Sequence, residues 1–294
     1  MTQQDYTIAG HRIRVEGDRL VEAVAAMPGF ETFKAPIGTG PLCHFTEKDH
    51  HDENTRRTEK ETDVEKILYT VETTNNRFRF CKRSRGGYRF ILSANNEILS
   101  VDMTQDGSLA CFSGCFSEPM LRFACWAAYG LAVLPYKTVA IHASAIQYRN
   151  RSVLFLGESG TGKSTHTRLW CQHIFGAQLL NDDSPILRIV DGRPVVFGSP
   201  WSGKTACFKN EHFPLAACVR LSQAPYNKIC RLRTVAGFAA LHPSCPPAFA
   251  HDENLYDSVS DFLSDVLKAV PVFRLECLPD AAAAQLSRQT LFEP

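Results

Sequence analysis

Residues 157–165 combine glycines, a lysine and hydroxyls in an order suited to binding phosphate. The segment reads Gly-Glu-Ser-Gly-Thr-Gly-Lys-Ser-Thr and matches the pattern G-x-x-x-x-G-K-[ST]. Glycines let backbone N–H groups surround a phosphate, the lysine neutralises β- and γ-phosphate oxygens, and the serine hydroxyl ligates Mg²⁺. The pattern predicts a site for ATP and Mg²⁺; the alternative is a glycine-rich turn that binds no ligand. The residues predicted to contact the nucleotide are Gly157, Ser159, Gly160, Thr161, Gly162, Lys163, Ser164 and Thr165.

Two adjacent carboxylates, Asp182 and Asp183, follow the apolar pair Leu179-Leu180. Phosphoryl transfer needs a metal ion and a group that orients or deprotonates the nucleophile. Consecutive residues at a strand end need not share a face, so two carboxylates can divide those tasks. The alternative is a turn before Ser184-Pro185, since aspartate favours turns. Because one helix separates the aspartates from the loop, we expect their two strands to be neighbours in a sheet.

The elements that must position these groups form an α/β core over residues 136–294. An apolar strand precedes the glycine-rich loop and a helix follows it. His142 lies within a predicted strand, where it is either catalytic or a core histidine with satisfied nitrogens. The predicted strands are Val139–Ile146, Ser152–Leu156, Leu179-Leu180, Ile186–Val190, Val195–Phe197 and Val272–Cys277, and the predicted helices are His166–His173, Asn254–Val270 and Asp280–Gln289.

Residues 1–116 are predicted to form a β-rich N-terminal domain, with a hairpin around Gly10. Residues 117–135 are predicted to form a buried helix that joins the two domains, with Ser117 as its N-cap. The stretch 47–66 is strongly charged and is expected to be a loop. Five further strands are predicted: Ile67–Glu72, Arg77–Cys81, Tyr88–Leu92, Glu97–Met103 and Ser108–Phe112.

Composition limits the classes of function. The chain has 294 residues and a formal net charge of +1, which argues against a nucleic-acid-binding protein. Its start does not resemble a signal peptide, and its longest apolar run is too short for a membrane span. The eleven cysteines include no C-x-x-C pair, and beside an ATP motif they indicate reduced thiols. We therefore expect a cytoplasmic protein without membrane or nucleic-acid partners.

The order of His142, the loop at 157–164 and Asp182-Asp183 resembles the catalytic domain of HPr kinase/phosphorylase. The loop is also similar to that of ATP-dependent phosphoenolpyruvate carboxykinase, which shares that fold. The resemblance covers roughly residues 138–290 and implies an α/β P-loop domain with a mixed sheet. It implies transfer of the ATP γ-phosphate to a hydroxyl, usually serine, of a protein or peptide, and the possibility of a homo-oligomer. It also implies that Asp182 is the base, that Asp183 and Ser164 hold Mg²⁺, and that His142 lies near the transferred phosphoryl group.

After the aspartates this chain has Gly-Ser-Pro-Trp-Ser-Gly-Lys-Thr at 198–205 in place of the glycine-rich stretch of true HPr kinases. The segment resembles that of HPr-kinase-like proteins of other substrates, so the resemblance does not extend to HPr as the acceptor. As a second glycine-bearing loop with a cation, it could close over the γ-phosphate or position the acceptor, with Lys204 as a catalytic candidate. The alternative is a tight turn with Trp201 in the core. Further along the chain, residues Arg220 to Arg233 could line the pocket of the nucleotide base.

Arginines and lysines between 77 and 89 alternate with Phe78 and Phe80, which predicts one cationic strand face. This face is either a docking surface for an acidic peptide, by strand addition, or an ordinary solvated face.

The leading hypothesis for function is an ATP- and Mg²⁺-dependent kinase acting on a serine or threonine hydroxyl of a peptide or protein. The alternatives are a nucleotide-gated peptide-binding protein with little turnover and a small-molecule kinase, for example of free serine.

Overall fold

The computed structural model describes residues 2–48, 65–203 and 205–293. The chain divides into two compact units, residues 1–135 and 136–294. Each unit contains one large sheet, and both sheets combine parallel with antiparallel pairs, so the chain has a mixed α/β fold. Most of the charged stretch, residues 49–64, lies outside the described residues.

The first unit is built on a nine-stranded sheet with the strand order β3-β1-β2-β4-β9-β8-β7-β6-β5. The five strands predicted between residues 67 and 112 and the hairpin around Gly10 are confirmed. The strand at 43–47 and the helix at 18–26 were not predicted. The strands are β1 Gln3–Ile8, β2 His11–Glu16, β3 Lys34–Ala35, β4 Cys43–Glu47, β5 Glu65–Glu72, β6 Asn76–Arg83, β7 Tyr88–Ala94, β8 Glu97–Met103 and β9 Leu109–Gly114, and the helices are α1 Asp18–Ala26 and α2 Glu118–Val133.

Helix α2 begins after Ser117, as predicted, and it belongs to the first unit. Its Tyr129 hydroxyl donates to the carbonyl oxygen of Ile8 (3.1 Å), and Phe123 meets Phe78 edge-on. Eleven of its residues are buried, so the helix covers one face of the sheet that precedes it rather than serving only as a connection.

The basic strand β6 lies between β5 and β7, so it offers no free edge for strand addition. Its Arg77 pairs with Glu72, and Arg89 of the neighbouring strand pairs with Glu65 and Asp102. These ion pairs within the sheet neutralise part of the predicted cationic face. The edge strands of this sheet are β3 and β5.

The second unit contains the sheet that carries the glycine-rich loop. Its main path is β10-β14-β15-β16-β12-β11-β13, and β18 pairs with both β16 and β17. The strands are β10 Thr138–Ala140, β11 Ala143–Tyr148, β12 Arg151–Leu156, β13 Gln178–Asp183, β14 Ile186–Val190, β15 Arg193–Phe197, β16 His212–Gln223, β17 Lys228–Arg231 and β18 Val272–Cys277, and the helices are α3 Lys163–His173, α4 Thr234–Leu241, α5 Glu253–Ala269 and α6 Ala281–Phe292.

Two expectations about this sheet are wrong. The strand predicted over Val139–Ile146 is broken: β10 ends at Ala140, β11 starts at Ala143, and His142 lies in the break. The strand of the loop and the strand of the aspartates are not neighbours, because β11 lies between β12 and β13. A single intervening helix therefore did not determine strand adjacency here.

Helix α3, which follows the glycine-rich loop, packs on one face of the second sheet beside α6. Trp170 is fully buried among Phe155, Val219 and Leu275. Its indole nitrogen donates to Ser287 Oγ (2.9 Å) and to His166 Nε2 (3.2 Å). Burial lowers the pKa of His166 to about 4. These contacts fix the rotation of α3 and thereby the direction in which its first turn points. In the described part of the chain, no helix is both long enough and apolar enough to span a bilayer.

Candidate active site

The register of four strands brings the candidate residues to one edge of the second sheet. β12 and β16 are parallel, and Leu156, the last residue of β12, pairs with Arg220 near the end of β16. β11 runs antiparallel between β12 and β13, so Ala143 pairs with Leu156 on one side and with Asp183 on the other. The glycine-rich loop, the His142 break and the aspartates therefore all open at the same edge.

The glycine-rich loop joins β12 to α3. Gly162 is the N-cap of α3 with φ of +101°, a backbone conformation that L side chains rarely adopt. The Thr161 hydroxyl donates to the carbonyl oxygen of Glu158 (2.8 Å), which closes the loop on itself. The first turn of an α-helix presents N–H groups that have no intrahelical acceptor, and its N-terminus carries partial positive charge. The loop and helix start thus form a concave donor surface suited to an anion.

Lys163, the first residue of α3, is buried beneath the loop. Its ammonium donates to the carbonyl oxygens of Gly157 (2.7 Å) and Glu158 (3.3 Å), and it lies 3.0 Å from His142 Nε2. Burial lowers the pKa of Lys163 from its usual range, while the carboxylates of Asp183 and Glu158 act in the opposite direction. The cation is held at the mouth of the loop by neutral acceptors.

Ser164 and Asp182 form a direct contact. The Ser164 hydroxyl donates to Asp182 Oδ1 (2.9 Å). Asp182 is only 3% exposed, and its second oxygen, Oδ2, is buried without a hydrogen-bond partner. An unpaired buried carboxylate oxygen is costly, so a partner at Asp182 Oδ2 would stabilise this arrangement.

Asp183 points to a different neighbour, His142. Asp183 Oδ1 lies 3.3 Å from His142 Nδ1, and both side chains are about two-fifths exposed. Asp183 has φ of +122°, a strained conformation for a residue with a side chain. The backbone N–H of His142 donates to the carbonyl oxygen of Ser244 (2.7 Å), which fixes the break between β10 and β11. Lys163, His142 and Asp183 thus form a continuous chain of polar contacts that reaches solvent.

The segment 198–203 packs against the backbone of the two aspartates. Ser202 Oγ donates to the carbonyl oxygen of Asp182 (3.1 Å), Gly203 N donates to the same oxygen, and Ser202 forms an isolated β-bridge with Asp183. A side chain at Gly203 would place its Cβ 3.0 Å from the Asp183 Cβ. Trp201 is buried, which agrees with the tight-turn alternative for that residue. The segment therefore braces the aspartates, and Lys204 lies outside the described residues.

The structure brings together five of the residues that the sequence singled out: Lys163, Ser164, His142, Asp182 and Asp183. It pairs Ser164 with Asp182, whereas the resemblance placed Ser164 with Asp183. Ser159 and Thr161 lie at the tip of the loop, and Thr165 lies on the first turn of α3 beside a cavity.

Sequence reasoning assigned no role to Glu158 and considered Arg220 only as the first residue of the stretch Arg220 to Arg233 that could line the base pocket. Arg220 is the last residue of β16 that pairs with β12, opposite Leu156, and its guanidinium donates to the Glu158 carboxylate (2.5 Å). Arg220 also lies close enough to Lys163 to lower the pKa of that lysine. The signal that could have identified Arg220 is its position near the end of a β-strand at the edge of the sheet that carries the loop. That signal was missed because β16 was not predicted as a strand.

Comparisons with solved structures give distant structural similarity only. No protein-family model matches the chain, and no curated protein matches it. Among solved structures, the chain is similar to the Hpr(Ser) kinase/phosphatase from Coxiella burnetii, with 15% sequence identity and a TM-score of 0.29. The match covers 52% of this chain and 87% of that one. At this level we take nothing about activity from it.

Proposed function

We propose that this chain is an ATP- and Mg²⁺-dependent kinase with an HPr-kinase-like P-loop domain, and that it transfers the γ-phosphate to a serine or threonine hydroxyl of a peptide or protein. The observation that carries the proposal is the contact between Ser164 and Asp182, with the unpartnered buried oxygen of Asp182, at the mouth of the glycine-rich loop. A hydroxyl and a carboxylate beside a lysine-bearing loop are the parts that phosphoryl transfer requires.

The donor set at this position fits Mg²⁺. Mg²⁺ prefers oxygen ligands and is usually held by one or two protein oxygens together with water and phosphate. Ser164 Oγ and Asp182 Oδ2 are such oxygens, and a cation would satisfy the orphaned Oδ2. When bound, Mg²⁺ neutralises charge on the phosphate oxygens. We therefore assign the metal to Ser164 and Asp182, which exchanges the roles that the resemblance gave to the two aspartates.

The nucleotide phosphates would be held by the loop and by Lys163. The loop amides and the N-terminus of α3 donate to phosphate oxygens, and Lys163 exchanges its carbonyl partners for phosphate oxygens. Charge on the transferring phosphoryl group is stabilised mainly by such pre-positioned donors. Lys163 thus acts on the transferred phosphoryl group, and the carbonyl oxygens of Gly157 and Glu158 hold the lysine in place before the nucleotide binds.

The acceptor hydroxyl would be deprotonated by Asp183, which His142 orients. Both groups are partly exposed, so a substrate hydroxyl can reach them, whereas Asp182 is enclosed. The hydroxyl proton passes to Asp183 as the hydroxyl oxygen bonds to the γ-phosphorus, and the bond from that phosphorus to the β,γ-bridging oxygen breaks to release ADP. The strained backbone of Asp183, held by Ser202, keeps the carboxylate at this position.

ADP release tests this function. ATP, Mg²⁺ and the full chain are incubated with no acceptor, with a library of serine- and threonine-containing peptides, or with free serine. We expect ADP release that depends on the peptide acceptor. Stimulation by free serine alone would instead identify a small-molecule kinase. Tight ATP binding without acceptor-dependent turnover would contradict a kinase and leave a nucleotide-gated binding protein.

A further inference from the structure

A cavity of about 540 Å³ opens on the side of the glycine-rich loop away from the aspartates. One wall is the loop and the first turn of α3, including Thr165, and the other is formed by the ends of β16 and β18. Its strand-end lining is mainly apolar: Leu221, Ala224, Cys277, Leu278 and Pro279.

The order of strands fixes how a nucleotide would run along the edge of the sheet. From one side to the other, the order is β13, β11, β12, β16 and β18, with the loop after the central strand β12. The backbone of β13, which ends in the aspartates, lies two strands from β12 on one side, about 10 Å away, and the cavity lies on the other side. A triphosphate with its γ-phosphate near Asp182 must therefore leave the loop towards β16 and β18.

The first turn of α3 gives the same direction. Successive helical residues point about 100° apart. The Ser164 hydroxyl points to Asp182, and the next residue, Thr165, lines the cavity. A phosphate chain that follows these two residues thus passes from the aspartates to the cavity.

The lining of the cavity suits a flat, largely apolar base. Leu278 is 38% exposed and offers apolar surface to the cavity, and Gln223 at the rim joins β16 to the loop by donating to the Gly160 carbonyl oxygen (3.2 Å). A second cavity shares Gly160, Thr161, Leu221 and Gln223 with the first and adds three charged side chains, Arg220, Arg274 and Glu158. Its charged lining is less suited to an apolar base than that of the first cavity.

We propose that the cavity lined by Thr165, Ala224 and Cys277 is the nucleoside subsite of this chain. The proposal rests on the proposed nucleotide site at the loop and adds where the base and ribose bind. It makes nucleotide affinity depend on two separable parts, the loop for the phosphates and the cavity for the nucleoside.

Binding of ADP and of inorganic tripolyphosphate to the full chain separates the two parts. Ala224→Trp fills the cavity, and we expect it to weaken ADP binding at least about tenfold while tripolyphosphate affinity stays within about twofold. The matched control is Ala269→Trp. Ala269 is the exposed last residue of α5, near the start of β18, whereas the cavity lies at the other end of that strand, so this substitution should change neither affinity. Unchanged ADP affinity in Ala224→Trp would overturn the subsite.

A second measurement on the unaltered protein covers the case in which Ala224→Trp does not fold. Cys277 lines the cavity, and Cys171 and Cys230 are exposed thiols elsewhere. Burial raises the pKa of the Cys277 thiol, so alkylation is followed by mass spectrometry at alkaline pH. ADP should protect Cys277 while tripolyphosphate should not, and the two exposed cysteines should react equally throughout. Equal labelling of Cys277 with and without bound ADP would overturn the proposal.

The same binding measurements distinguish a failure of the proposed nucleotide site from a failure of the nucleoside subsite alone. If unaltered protein binds neither ADP nor tripolyphosphate, or if Lys163→Ala binds both as well as the unaltered protein, the nucleotide site itself is wrong and the subsite is lost with it. If both probes bind through Lys163 but Cys277 and position 224 do not respond, only the subsite is wrong.

Discussion

The adjacent aspartates allow a matched pair of substitutions, Asp182→Asn and Asp183→Asn. Each removes one negative charge and keeps the shape of the side chain. Asp182 contacts Ser164 and has a buried oxygen without a partner, whereas Asp183 contacts His142 and is partly exposed. We expect the first substitution to act on metal binding and the second on the transfer step.

The magnitudes follow from these contacts. A hydrogen bond or ligand contact to a charged group contributes about 1.5–3 kcal/mol, so losing the charge of Asp182 should weaken Mg²⁺ binding by roughly 10- to 150-fold. Asn at 182 keeps an acceptor for Ser164, so the local fold should persist. Losing a general base typically costs about 10²- to 10⁴-fold in turnover, so Asp183→Asn should lower kcat by that range and leave metal affinity nearly unchanged.

Metal binding is measured by calorimetric titration of Mg²⁺ or Mn²⁺ into ADP-saturated protein, and kcat by ADP release at saturating metal. High Mg²⁺ should restore part of the turnover of Asp182→Asn and none of that of Asp183→Asn. The opposite pattern, with weak metal binding in Asp183→Asn and metal-insensitive loss of turnover in Asp182→Asn, would refute the assignment made from the structure.

Three further substitutions test other parts of the chain. Lys163→Ala should weaken ATP binding by more than about tenfold, since it removes a charged donor to phosphate; unchanged affinity in a nucleotide titration would count against the loop site. Gly203→Val should push Asp183 out of position and lower turnover by roughly 10- to 100-fold with nucleotide affinity unchanged, and normal turnover would show that the brace is unimportant. Asp5→Asn removes a fully buried carboxylate that accepts from Arg14 (2.7 Å), and should lower the free energy of unfolding in urea by about 3 kcal/mol at pH 7. Burial would raise the pKa of Asp5, but hydrogen bonds, chiefly from Arg14, lower it overall. The stability that the carboxylate contributes is therefore present above about pH 4 and is lost as pH falls through the lowered pKa. The difference in unfolding free energy between Asp5→Asn and the unaltered protein should shrink in acid, and a constant difference would contradict this.

The local patterns in the sequence were sufficient for most individual elements. The loop pattern predicted a strand before residue 157 and a helix after it, and turn residues such as Asp106-Gly107 separated the strands of the first unit. These features depend on interactions between residues close in the sequence. Strand β18 was predicted with its observed ends because an apolar alternation lies between clear breaks at Pro271 and Leu278-Pro279.

Features that depend on distant residues were not accessible from the sequence. The break at His142 is stabilised by the carbonyl oxygen of Ser244, about a hundred residues later in the chain. The insertion of β11 between β12 and β13 is decided by sheet pairing, and no local pattern reports it. The pairing of Ser164 with Asp182 follows from that order of strands and from the bracing contact of Ser202, so the sequence located the aspartates without dividing their roles.

Transfer of labelled phosphate tests the central proposal most directly. ATP labelled in the γ-phosphate is incubated with Mg²⁺, the full chain and the serine- and threonine-containing peptide library, and the peptides are analysed by mass spectrometry, with Lys163→Ala as the control. A kinase built on this site predicts labelled phosphate on a serine or threonine side chain of the peptide with the unaltered protein and none with Lys163→Ala. Label found only in inorganic phosphate, or on the peptide at equal levels with both proteins, would contradict phosphoryl transfer at this site.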